Sequence, residues 1–107
     1  MLVQTAEVDE IRKEKGEREL RLYLIVERGE WLLPRSLWLL QEKLNGYASF
    51  ILDGKMAQLY PWAQPGQVQI IVQSHGQAPA GAHELLAKVR EVLEPMGPRI
   101  LFEQAPS

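Results

Sequence analysis

A chain of 107 residues, 46% hydrophobic and 24% charged, has the size and make-up of one folded domain spanning residues 1–107, able to hide roughly two thirds of its unfolded surface. A net charge of −2 with Lys and Arg scattered along the chain excludes the clustered basic face that nucleic acid requires, and the absence of cysteine excludes disulfides, thiolate nucleophiles and cysteine-based zinc sites. No apolar run approaches the roughly 18 to 20 residues of a membrane span, and the polar, acidic start MLVQTAEVDEIRKEKGE is unlike a signal peptide. We therefore expect a cytoplasmic protein that engages neither membrane nor nucleic acid.

In chain order, AEVDEIRK (6–13) reads as a strand and EKGE as a turn around Gly16. The basic residues from Arg12 to Arg21 alternate with Glu14, Glu17 and Glu19, the pattern of a solvated hairpin. ELRLYLIVERG (19–29) alternates with period two: Leu20, Leu22, Leu24 and Val26 to one side, Arg21, Tyr23, Ile25 and Glu27 to the other. That second side is mixed, so part of it is expected to be covered. EWLLPR is a connection, since Pro34 disfavours helix in the residue before it. A helix then runs from Ser36 to about Asp53, and Gly54 is a natural stop. KMAQLY is a short irregular or helical piece, and PWAQPGQ a loop. VQIIVQS (68–74) is the third strand, 80–95 a second helix with Leu85, Leu86, Val89, Val92, Leu93 and Met96 at helical spacing, RILFE (99–103) the last strand, and QAPS a frayed tail.

The order β-β-α-β-α-β predicts an α+β two-layer sandwich: a four-stranded mixed sheet with two helices on one face, the last two strands parallel. Strand order stays open at this stage.

The first helix is apolar around most of its circumference. At 100° per residue, Leu37, Leu40, Leu44, Tyr47, Ala48 and Ile51 share the sector expected on the sheet. Leu39 and Phe50 lie on another side, with Gly46 and the stem of Lys43 between them, and Trp38 and Leu52 flank the core sector near Gln41 and Asn45. A helix this apolar is buried on more than one side. Either the chain covers it itself, through Trp31–Leu33 or the KMAQLYPW segment, or a partner does, or a small-molecule cleft lies under the stripe. In the second case Trp38, Leu39, Lys43, Gly46 and Phe50 are the contact residues, Gly46 admitting a close backbone and the aromatics acting as anchors.

Catalytic signals are weak. Asp9, Glu10, Glu42 and Asp53 read as solvated residues or turn formers, and no catalytic residue is assigned. His75 and His83 lack the spacing of a metalloprotease site, so no metal site and no cofactor is implied. Gly76 and Gly81 have the spacing of a phosphate loop, but Ala82 and His83 stand where Lys and Ser or Thr are needed. No serine sits in a nucleophile elbow, and Ser74 and His75 point to opposite faces of a strand. Tyr60 and Trp62 either line a ligand pocket or pin the loop at Pro61 to the core.

The run LWLLQEKLNGYASFILDGKMAQLYP resembles a family of short bacterial proteins of uncharacterised function, in which a hairpin precedes a helix of the form L-L-x-Q-x-K-[IL]-N-x-Y-x-x-F-I, a Gly stop and a Tyr-Pro. The matching positions are Leu39, Leu40, Gln41, Lys43, Leu44, Asn45, Tyr47, Phe50, Ile51, Gly54, Tyr60 and Pro61. The likeness covers most of the chain. The segment RGEWLLPRSL departs from it, because such relatives are more acidic before the helix. The resemblance implies the α+β fold and a bacterial source, and brings no activity, cofactor or catalytic residue. The expectation is a non-catalytic module that self-associates as a homodimer through the outer face of the first helix. The alternatives are an immunity or regulatory protein occluding a partner with that same surface, or a ligand-binding or enzymatic domain with a pocket near Tyr60, Trp62 and Lys43.

Overall fold

The structure, a computed structural model, describes residues 1–14 and 18–106, Glu14 by its backbone alone. The turn expected around Gly16 lies outside the described residues. Strand β1 (Glu10–Glu14) pairs antiparallel with β2 (Glu19–Val26). Helix α1 (Ser36–Leu52), a short helix α2 (Lys55–Leu59) and strand β3 (Val68–Ser74) follow, then helix α3 (Ala80–Leu93) and strand β4 (Arg99–Gln104). The sheet order is β1-β2-β3-β4, with β2, β3 and β4 mutually parallel. Chain order and sheet order therefore coincide.

The period-two alternation decides the layers. Leu20, Leu22, Leu24 and Val26 join Val68, Ile70, Val72 and Ile100 in one buried cluster with Leu40, Leu44, Tyr47 and Ile51 of α1 and Ala82, Leu86 and Leu93 of α3. Only one parity of each strand takes part, so both long helices lie on the same face of the sheet. On the opposite face Tyr23, Ile71 and Leu101 stand in register across three strands. Tyr23 and Ile71 are nonetheless buried, and the Arg12 guanidinium lies 4.7 Å over the Tyr23 ring while its Nε donates to Glu10 at 2.8 Å. The Arg12 side chain thus covers part of the mixed face that alternation marked, at Tyr23.

α1 and α3 each return the chain between parallel strands, so they run side by side in one direction. They meet closely at their first turns, where a Cβ on Gly81 would stand 2.7 Å from Leu37 Cδ1. This contact explains why Leu37, expected on the sheet, is instead partly exposed against α3.

Three expectations are corrected. Residues 6–9 are not strand: their backbone is drawn away towards α1, and β1 begins at Glu10. The tail is not frayed at Ala105, which is buried and donates its N–H to the Ser74 carbonyl at 2.8 Å. Asp9 is not solvated: its side chain is buried in an ion pair. The free edge of β4 is also occupied at one point, with Arg90 Nε donating to Ile100 O at 2.9 Å and Glu94 Oε2 accepting from Ile100 N at 3.4 Å.

Candidate docking surface

The second apolar stripe of α1 finds its cover inside the chain. Residues 1–9 form an arm beside the flank that carries Leu39, Lys43, Gly46 and Phe50. Leu2 is fully buried in the core, and a Cβ on Gly46 would come within 3.0 Å of the Thr5 carbonyl oxygen. Thr5, Val8, Gly46 and Phe50 line one small depression of about 250 Å³, and Leu39 and Phe50 are half-buried against the core.

The arm is held by polar contacts. Lys43 is 0% exposed. Its ammonium donates to Asp9 Oδ1 at 2.5 Å and to the Met1 carbonyl, and Asp9 Oδ2 accepts from Ile25 N at 2.7 Å. The Tyr47 hydroxyl accepts from Asp9 N at 3.0 Å and donates to the Tyr23 carbonyl. Burial pushes the Tyr47 phenol well above its ordinary range, so it stays a donor. The Glu30 carboxylate accepts from the Met1 amine and from Leu2 N, each at 2.8 Å, and from Glu27 N at 2.7 Å. Burial works to raise the Glu30 carboxyl, but these hydrogen bonds outweigh it and hold the group below its ordinary value. Lys43, expected as a contact residue, is thus committed to the arm, and so is the space above Gly46. Of the cover expected from the sequence, Leu32 is exposed and takes no part, whereas the KMAQLYPW segment packs on α1 through α2, and residues 1–9 add the rest. Hints were present in the sequence: Leu2 and Val8 are apolar in a polar leader, and Lys43 sits among Leu39, Gly46 and Phe50 on the helix surface.

The remaining marked residues do not gather. Tyr60 and Trp62 are half-buried and meet edge to face at 6.5 Å, with Lys13 Nζ 5.4 Å over the Trp62 ring, contacts that pin the loop. Ser74 is buried, accepting from Trp31 Nε1 at 2.8 Å and donating to the Gly76 carbonyl. His75 contacts Gln73, and His83 packs on Phe102 at 4.7 Å. Among the described residues no three His, Asp or Glu side chains are grouped so as to hold a metal ion, and no buried side-chain nitrogen or oxygen lacks a hydrogen-bond partner.

What α1 leaves uncovered is its other flank. Beyond the Leu37–Gly81 contact a groove of about 530 Å³ runs between the two helices. Leu44, Ala48 and Leu52 form the α1 wall, with Gln41 and Asn45 at its rim. Leu85, Val89, Val92 and Leu93 form the α3 wall, Met96 of the 3-10 turn Glu94–Met96 extends it, and Lys88 is the one charged residue of the lining. Leu52, Val92 and Met96 are 42%, 61% and 54% exposed. Trp38 is 47% exposed on the outer side of α1, with the Arg35 guanidinium 4.5 Å over its ring. Of the five contact residues expected from sequence, Trp38 and Gly46 are exposed, and Trp38 is the one on the stripe of Gln41 and Asn45 beside this groove. Leu85, Val89, Val92 and Met96 share one helical spacing in the sequence, and that spacing does not distinguish the buried stripe from the groove wall they form.

An elongated apolar trough with amides and one ammonium at its margin suits binding by burial, and it brings together no acid–base pair. No described helix is long and apolar enough to cross a membrane. The model of a family described as of unknown function (DUF6572) matches residues 1–105. No curated protein and no solved structure matches the chain.

Proposed function

The chain belongs to this family of unknown function, and from that premise we propose that it is a non-catalytic module that works by protein–protein contact, with the groove between α1 and α3 as its docking face. We place it in the bacterial cytoplasm, a reducing setting with which a cysteine-free chain is compatible. The reading keeps the outer side of α1 as the contact element and moves the seat from the flank taken up by the arm to the flank shared with α3. The observation that carries it is the exposure of Leu52, Val92 and Met96 around one apolar trough. Contiguous apolar surface of this kind mostly marks an interface or a binding groove.

A photo-activated cross-linking residue at position 92, introduced in the native cell, tests the reading against the same residue at position 103 on the opposite face of the sheet. Discrete protein adducts from position 92 and not from position 103 are expected. An adduct of twice the chain mass identifies the partner as a second copy. Equal yields from both positions, or none from position 92, refute the docking face.

A further inference from the structure

Building on that docking face, we propose that its occupant is an amphipathic α-helix of about three turns from another protein, carrying an acidic side chain that pairs with Lys88. The dimensions set the length. The α1 wall runs from Gln41 to Leu52, about 17 Å at 1.5 Å per residue, and the facing wall from Leu85 to Leu93 on α3, about 12 Å, continued by Met96 in the 3-10 turn Glu94–Met96. Two helices side by side on one sheet leave a groove along their outer seam, and a third rod laid in it buries a stripe at i, i+3, i+4 and i+7 against both walls.

The chemistry of the lining sets the composition. The walls are aliphatic, so the occupant's inward face is apolar. Lys88 is exposed and makes no ion pair among the described residues. A basic or neutral occupant would bring Lys88 against an apolar or like-charged surface, whereas a carboxylate there gains a partner. The sheet edges argue against a strand as occupant. The Ile100 backbone at the β4 edge already bonds to Arg90 and Glu94, and β1 has the charged sequence EIRKE.

The test is selection of binders to the whole chain from a displayed library of 14-residue amphipathic helices with randomised polar faces. Sequences with Asp or Glu at one fixed register are expected. Their affinity should fall about threefold to tenfold on Lys88→Glu, within reach of one partly exposed ion pair, and at least about a hundredfold on Val92→Glu, as for a central anchor. Selection on the Lys88→Glu protein should return Lys or Arg at that register. Both positions are exposed, and unchanged thermal unfolding of the variants verifies the fold. No selected helix, binders without an acidic preference, or binding indifferent to Val92→Glu overturns the inference. So does a homodimer in sedimentation that Val92→Glu dissolves. Cross-linking from position 92 without any selected helix removes this occupant and leaves the docking face standing; failure of both removes the two together.

Discussion

Taking an ammonium and a carboxylate out of water costs several kcal/mol per ion, recovered only when geometry and extra hydrogen bonds are good. Lys43 and Asp9 meet that condition, since Asp9 also accepts from Ile25 N and Lys43 also donates to the Met1 carbonyl. Lys43→Met leaves Asp9 buried and unpaired and should cost about 3 kcal/mol in denaturant unfolding. Adding Asp9→Asn, which drops the charge and keeps an acceptor for Ile25, should recover part of that loss. Strict additivity of the two changes would show that the pair is not coupled. Glu30 gives a pH signature. Its carboxyl is held below the ordinary value in the fold, so its contribution is complete above the unfolded carboxylate value of about 4.3 and is lost as pH falls through the folded value. The Tm advantage of the native chain over Glu30→Gln should therefore hold above about pH 5 and shrink as pH falls below about 4.3. An advantage that holds or grows on acidification contradicts the assignment.

Two glycines decide how elements approach α1, and they should respond differently to alanine. Gly→Ala gains about 0.8 to 1 kcal/mol of helix propensity at Gly46, inside α1, and less at Gly81, the second residue of α3. At Gly81 the new methyl meets Leu37 Cδ1, the far end of a flexible side chain, so rotation of Leu37 offsets most of the gain and the net effect should stay within about 0.5 kcal/mol. At Gly46 the methyl meets the Thr5 backbone oxygen at 3.0 Å, in an arm fixed on both sides by Met1 and Asp9. Gly46→Ala should be destabilising by about 1 kcal/mol despite the propensity gain, and Gly46→Glu should strip amide-exchange protection from residues 2–9. A Gly46→Ala protein more stable than the parent would mean the arm yields at no cost.

For the molecule as a whole, the uncovered surfaces govern association. β4 is an edge strand with three consecutive apolar residues, Ile100, Leu101 and Phe102. The α3 side chains Arg90 and Glu94 engage its backbone at Ile100, which blocks strand addition there. Arg90→Ala should cost about 1 kcal/mol and raise light scattering on heating. If scattering is unchanged while stability falls, the contact is structural only.

The strands, the two long helices and the single two-layer core were legible in the sequence because alternation and helical spacing are local properties, read without knowledge of what packs on what. The surplus of apolar residues on α1 was equally legible. Which layer of protein meets each flank depends on residues far apart in sequence: Thr5 against Gly46, Asp9 against Lys43, Gly81 against Leu37. Strand order, the burial of Lys43 and the groove walled jointly by α1 and α3 emerge from those long-range contacts. Local spacing is enough to specify the elements and the excess of greasy surface on the first helix. That the arm takes one flank and the other stays open beside α3 is set by side chains meeting across the fold, not by neighbours along the chain.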